Sequence, residues 1–157
     1  MSLTDLVWLA TGAYAVHILE EYELNWRDWA RAVIGLPVEW NDFYVVNAIV
    51  VVLGIVAANL AGHAPMLGLV LPALMLINAT FFHVAPVLWT RGRFSPGLFT
   101  AVVLFYPIGI ACYRRAATDG NLNTRTIVGS LVLGALLMAS PIVLLRIKGR
   151  PYFRQDR

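Results

Sequence analysis

Three ionisable side chains interrupt the first apolar stretch of this sequence: His17, Glu20 and Glu21. Spaced i, i+3 and i+4, they lie on one face of a helix, and Tyr14 and Asn25 extend that face. A second histidine, His83, interrupts another apolar stretch. Imidazole and carboxylate together supply two kinds of chemistry. In the first, His17, His83 and one or both glutamates, Glu21 foremost, ligate a divalent metal, zinc or iron. Two histidines and a carboxylate leave positions open for water or substrate. In the second, metal-free kind, a buried glutamate stays protonated and acts as the acid, with a histidine or the second glutamate as the base. Adjacent Glu20 and Glu21 repel each other, which favours keeping one of them protonated.

The elements that must hold these groups are membrane helices. The chain is 59% hydrophobic and 13% charged, with a mean hydropathy of +0.71. That is more apolar surface and less charge than a water-exposed domain of this size carries. About 20 apolar residues in a helix cross the hydrocarbon core. Five stretches reach that length, over about residues 3–26, 40–60, 66–89, 96–113 and 126–145. The expected fold is therefore all-α, a single domain of about five transmembrane helices. Gly35 with Pro37, Gly62 with Pro65, Arg91-Gly92-Arg93 with Ser95-Pro96, and Asp119-Gly120-Asn121 punctuate the connections. Pro96 falls where a proline at the first helical position is favoured. Pro72, Pro86, Pro107 and Pro141 lie inside spans, and Pro86 frees the carbonyl of Phe82 beside His83. The segment from Asn25 to Gly35 reads as a short amphipathic helix in the interface. The single cysteine, Cys112, has no partner for a disulfide and reads as a small apolar helix residue.

Five spans put the termini on opposite sides. The C-terminal side then holds Arg27, Arg31, Arg91, Arg93, Arg146, Lys148, Arg150, Arg154 and Arg157, against Arg114, Arg115 and Arg125 on the other. The positive-inside rule places the C-terminus in the cytoplasm and the N-terminus outside, in a multi-pass plasma (inner) membrane protein. Met1-Ser2-Leu3-Thr4-Asp5 carries no basic run, so the first stretch is expected to be retained. The net charge of +3 sits at helix ends and in the tail, with no basic groove interleaved with aromatics, which excludes nucleic acid. Membrane lipids are the expected surroundings. A homo-oligomer is compatible with the sequence and required by none of it.

Counting 1.5 Å per residue from the tryptophan end of each span, Glu20 and His83 lie roughly 9 Å deep, Asn47 roughly 10 Å, His17 about 13 Å and Asn78 about 16 Å. Trp26, Trp40 and Trp89 mark one membrane face, so groups from three spans share a depth band. Tyr14, Asn47 and Asn78 are the neighbours able to hydrogen-bond a substrate or a ligating side chain. Asn78 stands about 140° from His83 on a regular α-helix, so local unwinding is needed for both to face one spot. Asp5, Ser130, Thr100 and Asn59 read as scattered polar positions of the other half, and His63 falls in the opposite loop.

His17-Ile18-Leu19-Glu20-Glu21 resembles the defining motif of the HXXEE membrane proteins. Asn78-Ala79-Thr80-Phe81-Phe82-His83, followed by Ser95-Pro96-Gly97-Leu98-Phe99-Thr100-Ala101, resembles that family's second signature. Here one residue more than usual separates Asn78 from His83. The likeness runs from about residue 10 to about residue 115. It implies that His17, Glu20, Glu21 and His83 are the functional residues, and it names no reaction. From the residues themselves the expected function is a membrane-embedded enzyme acting on an apolar lipid or isoprenoid, metal-assisted in hydrolysis or oxidation. A metal-free isomerase, epoxide-opening enzyme or cyclase on the same substrates is the alternative. A non-enzymatic lipid- or haem-binding protein or proton relay is the rival of another class.

Overall fold

The structure, a computed structural model, describes residues 1–148 together with Arg150 and Tyr152. Arg154 and Arg157, counted above for orientation, lie outside the described residues. Among the described residues the regular structure is helical: α1 (Leu3–Glu23), α2 (Trp26–Val33), α3 (Trp40–Leu60), α4 (Pro65–Trp89), α5 (Leu98–Thr118) and α6 (Thr124–Lys148). α3, α4, α5 and α6 are long and apolar enough to cross a membrane. α1 has the length, since 21 residues rise about 31 Å, but the ionisable groups of its second half dilute its apolar character. The chain is a membrane-type helical bundle of about five long helices.

Local chemistry sets the helix ends. Ser2 caps α1: its hydroxyl accepts from the Asp5 amide at 3.1 Å, and the Asp5 carboxylate accepts from the Ser2 amide at 2.8 Å, a reciprocal pair that satisfies two otherwise orphaned donors. α1 stops at Glu23 because Asn25 adopts a left-handed backbone (φ 58°). The chain then turns into α2, which buries Trp29 and Ala30 and leaves Arg31 to pair with Glu39. Asn25 and then Arg27 hydrogen-bond the Asp28 carboxylate and hold its pKa below the usual range. Pro65 opens α4 at its first turn. Pro96 does not open α5 as the sequence suggested. Gly97, at φ 93°, occupies the cap position, and the helix begins at Leu98.

α4 is the central helix and packs against α1, α3, α5 and α6. Small residues let the backbones approach, among them Ala10, Ala57, Ala58, Ala73 and Ala101, all nearly fully buried. Leu19, Val45, Val52, Phe99 and Leu136 face outwards, as lipid-facing positions do. Tyr22 meets Trp40 at 5.1 Å and Trp26 meets Phe43 at 5.8 Å between ring centroids, so the tryptophan ends of α1 and α3 share one end of the bundle. α4 departs from α-geometry at Ala79–Val84 and α5 at Ala101–Phe105; both segments are π-helical. A π turn closes i to i+5 rather than i to i+4 and recurs at functional sites.

Candidate active site

The π turn of α4 settles how His83 is aimed. In a wider turn each residue rotates through a smaller angle than in an α-helix, so His83 swings back towards the face that carries Asn78. His83 is fully buried and meets His17 of α1 edge to face, with ring centroids 4.8 Å apart. Between them stands Glu21, 5% exposed. Its Oε1 lies 3.5 Å from His17 Nε2 and 3.6 Å from His83 Nε2. One ligand atom from each of the three falls within 4.8 Å of the others.

The opposite ring nitrogens are held. Thr100 Oγ1 lies 2.6 Å from Glu20 Oε2 and 2.7 Å from His17 Nδ1. A hydroxyl has one proton, and the carboxylate is the strongest acceptor in reach. His17 Nδ1 therefore carries a hydrogen and donates it to Thr100. Ser95 repeats the arrangement on His83. Its hydroxyl donates to the Phe82 carbonyl at 3.3 Å, the carbonyl that Pro86 frees, and accepts from His83 Nδ1 at 3.1 Å. Both imidazoles thus turn a lone-pair Nε2 towards Glu21. Both Nε2 atoms are buried without a hydrogen-bond partner.

Glu20 has different work. Its Oε1 accepts from the amides of Gly97 and Phe99 at 3.1 Å each, and its Oε2 from the Thr100 amide at 2.7 Å. It caps α5, and its charge meets the positive end of that helix. The expected repulsion with Glu21 is relieved in this way, because the two carboxylates point into different surroundings. Gly97 closes the floor. A Cβ there would stand 2.5 Å from His83 Cε1, 2.7 Å from His17 Cε1 and 3.0 Å from Glu21 Cγ.

Tyr14 donates to Asn47 Oδ1 at 3.0 Å, and Asn47 donates to the Phe43 carbonyl at 3.0 Å. Tyr14 also stacks on Phe105 (5.7 Å, 8°), whose ring lies 4.3 Å from that of His17. Asn78 lines the same cleft as Glu21, Tyr14 and Asn47, with its Oδ1 buried and unpaired. Thr100, placed by the sequence reading among scattered polar positions of the other half, is at the centre of the site. So is Ser95. The signal for Thr100 was present: it follows Gly97 by three residues at the tryptophan end of its span. Asn25 takes no part; its side chain bonds Asp28. His63 is at the opposite end, in the turn after α3. Two axial imidazoles on a haem iron put their ring centroids roughly 6 Å apart on opposite faces, so edge-to-face rings at 4.8 Å leave no plane for a porphyrin.

A polytopic helical bundle with a buried His–Glu–His cluster at one end is the class that this architecture defines. Within it, residues 8–112 match the family described as "Protein of unknown function with HXXEE motif", and the chain belongs to that family. Comparison with curated proteins and with solved structures gives no match.

Proposed function

We propose that the chain is a membrane-embedded, metal-dependent enzyme in which His17, His83 and Glu21 hold one divalent cation, zinc or iron, against an apolar substrate drawn from the bilayer. One observation carries this reading: three acceptors converge with no donor between them. Two ligands about 2.1 Å from a tetrahedral centre stand about 3.4 Å apart; the two Nε2···Oε1 gaps are 3.5 and 3.6 Å, and with the three ligand atoms within 4.8 Å of one another the imidazoles would close in slightly on a bound cation. A proton on Glu21 would satisfy one imidazole and leave the other bare. A cation satisfies all three. The Nδ1 bonds to Thr100 and Ser95 are the outer contacts that ligating histidines usually make.

A cation bound there would supply Lewis acidity in a water-poor site. Glu21 lines the neighbouring cleft, so the open side of the cation would face it. The far half of the bundle is packed with Leu3, Leu6, Val7, Ala57, Ala61 and Leu69, which favours a blind site over a transport path. By the charge asymmetry of the loops, the site belongs to the cytoplasmic half of the membrane, with the C-terminus inside. The reading is tested by elemental analysis of protein purified without chelators. About one equivalent of zinc or iron is expected, lost in His17→Ala and in Glu21→Gln. Metal-free protein that still converts a lipid substrate would leave the acid–base isomerase or cyclase reading in its place.

A further inference from the structure

The cleft beside Glu21 has a shape and a polarity of its own. It has a volume of about 70 Å³, and Glu21, Asn47, Asn78 and Phe43 are among its walls. That volume holds a few water-sized groups. Beside it, between α3 and α6, lies a larger cleft of about 450 Å³, with which it shares the walls Asp42, Val46, Pro141 and Leu145. The outer walls, Val45 and Leu144, are exposed on the lipid-facing surface. An apolar tail held in the outer cleft would lie against the walls it shares with the cleft at Glu21.

The polar groups of the smaller cleft select the head group. Asn78 is 5% exposed, and its Oδ1 is buried without a partner. Leaving such an acceptor bare is unfavourable, and a donor on a bound molecule would satisfy it. No lysine or arginine lines this cleft among the described residues; Asp42 and Glu21 do. Arg146 lines a neighbouring cleft that shares the walls Leu36, Phe82 and Ile142 with this one.

We infer that the site takes a single-chain lipid with a small, hydroxyl-bearing head, a long-chain or isoprenoid alcohol. The tail lies between α3 and α6, and the hydroxyl donates to Asn78 Oδ1 beside Glu21. This assignment rests on the site proposed above for its location and not on the metal. The test is equilibrium binding of tritiated farnesol to the full chain in nanodiscs, with farnesyl methyl ether, which lacks the hydroxyl donor, as competitor and metal content measured on the same samples. Saturable binding near one per chain is expected, weakened about tenfold in Asn78→Ala and abolished in Val46→Phe, which enlarges a wall common to both clefts. Thermal unfolding of each variant confirms that it is folded. His17→Ala should lose the metal and keep the alcohol, so failure of the two readings can be told apart. Equal or tighter binding of farnesyl methyl ether, or undiminished farnesol binding in folded Val46→Phe and Asn78→Ala, would overturn the assignment.

Discussion

The hydroxyl of Thr100 lies 2.7 Å from His17 Nδ1 and decides which imidazole nitrogen faces Glu21. Because Glu20 takes the hydroxyl proton, His17 is held as the Nδ1–H tautomer. Thr100→Val removes that lock while keeping the shape of the side chain. Metal affinity should fall about 10- to 100-fold, the usual loss for an outer contact of a ligating histidine, and Thr100→Ser should restore most of it. Competition with a chromogenic chelator measures this. Equal affinity in Thr100→Val and the parent would remove Thr100 from the site.

The two neighbouring glutamates should separate cleanly by substitution. Glu20 binds three backbone amides and a hydroxyl across two helices. Glu20→Gln turns an amide donor towards those donors and should cost about 1–3 kcal/mol of stability, read as a lower thermal midpoint in detergent. With both proteins stripped of metal, Glu21→Gln should leave the stability within about 1 kcal/mol of the parent, or raise it, since a buried carboxylate is removed. It should nonetheless abolish metal binding. The opposite pattern would mean that the roles of Glu20 and Glu21 are exchanged.

Gly97 offers the sharpest steric test. Its positive φ disfavours any side chain, and a Cβ would press on both imidazoles. Gly97→Ala should lose the bound metal and lower the thermal midpoint. Gly12→Ala, in the same bundle but with open space around it, should be neutral or stabilising by up to about 1 kcal/mol. Should Gly97→Ala keep full metal content, the close approach of this backbone to the site is wrong.

Orientation is checked by reporter fusions. A fusion after Arg157 should report a cytoplasmic location, and one after Gly62 an external one, because two spans precede Gly62 in the five-span arrangement. A cytoplasmic signal at Gly62 would overturn this orientation, and an N-terminal fusion that reports the same side as the one after Arg157 would remove α1 from the membrane and with it the common depth of His17 and His83.

The i, i+3, i+4 pattern placed His17 and the glutamates on one face, and depth counting put His83 level with them. Both were legible because helix rise is uniform and ionisable groups are scarce in apolar spans. The division between Glu20 and Glu21 was not legible. It depends on where the N-terminus of α5 docks, a tertiary relation that adjacent residues cannot encode. Ser95 and Thr100 were missed because hydroxyls in membrane helices usually bond their own backbone, as Thr80 and Thr90 do here. Extending the depth count to the fourth span would have found Thr100, about 6 Å inside its start at Pro96.

The π turn at Ala79–Val84 has a consequence for sequence length. It occupies the five-residue interval between Asn78 and His83. Deleting any one of Ala79, Thr80 or Phe81 would let α4 revert to regular α-geometry, a change of helical phase rather than of composition. Asn78 and His83 would then be brought nearly into line, about 40° apart at four residues' spacing, the relation that the bulge restores in a longer chain. An insertion absorbed as a widened turn leaves the register of everything beyond it, including Pro86 and Trp89, undisturbed. The shortened chain would then differ in backbone while presenting the same histidine to the same glutamate.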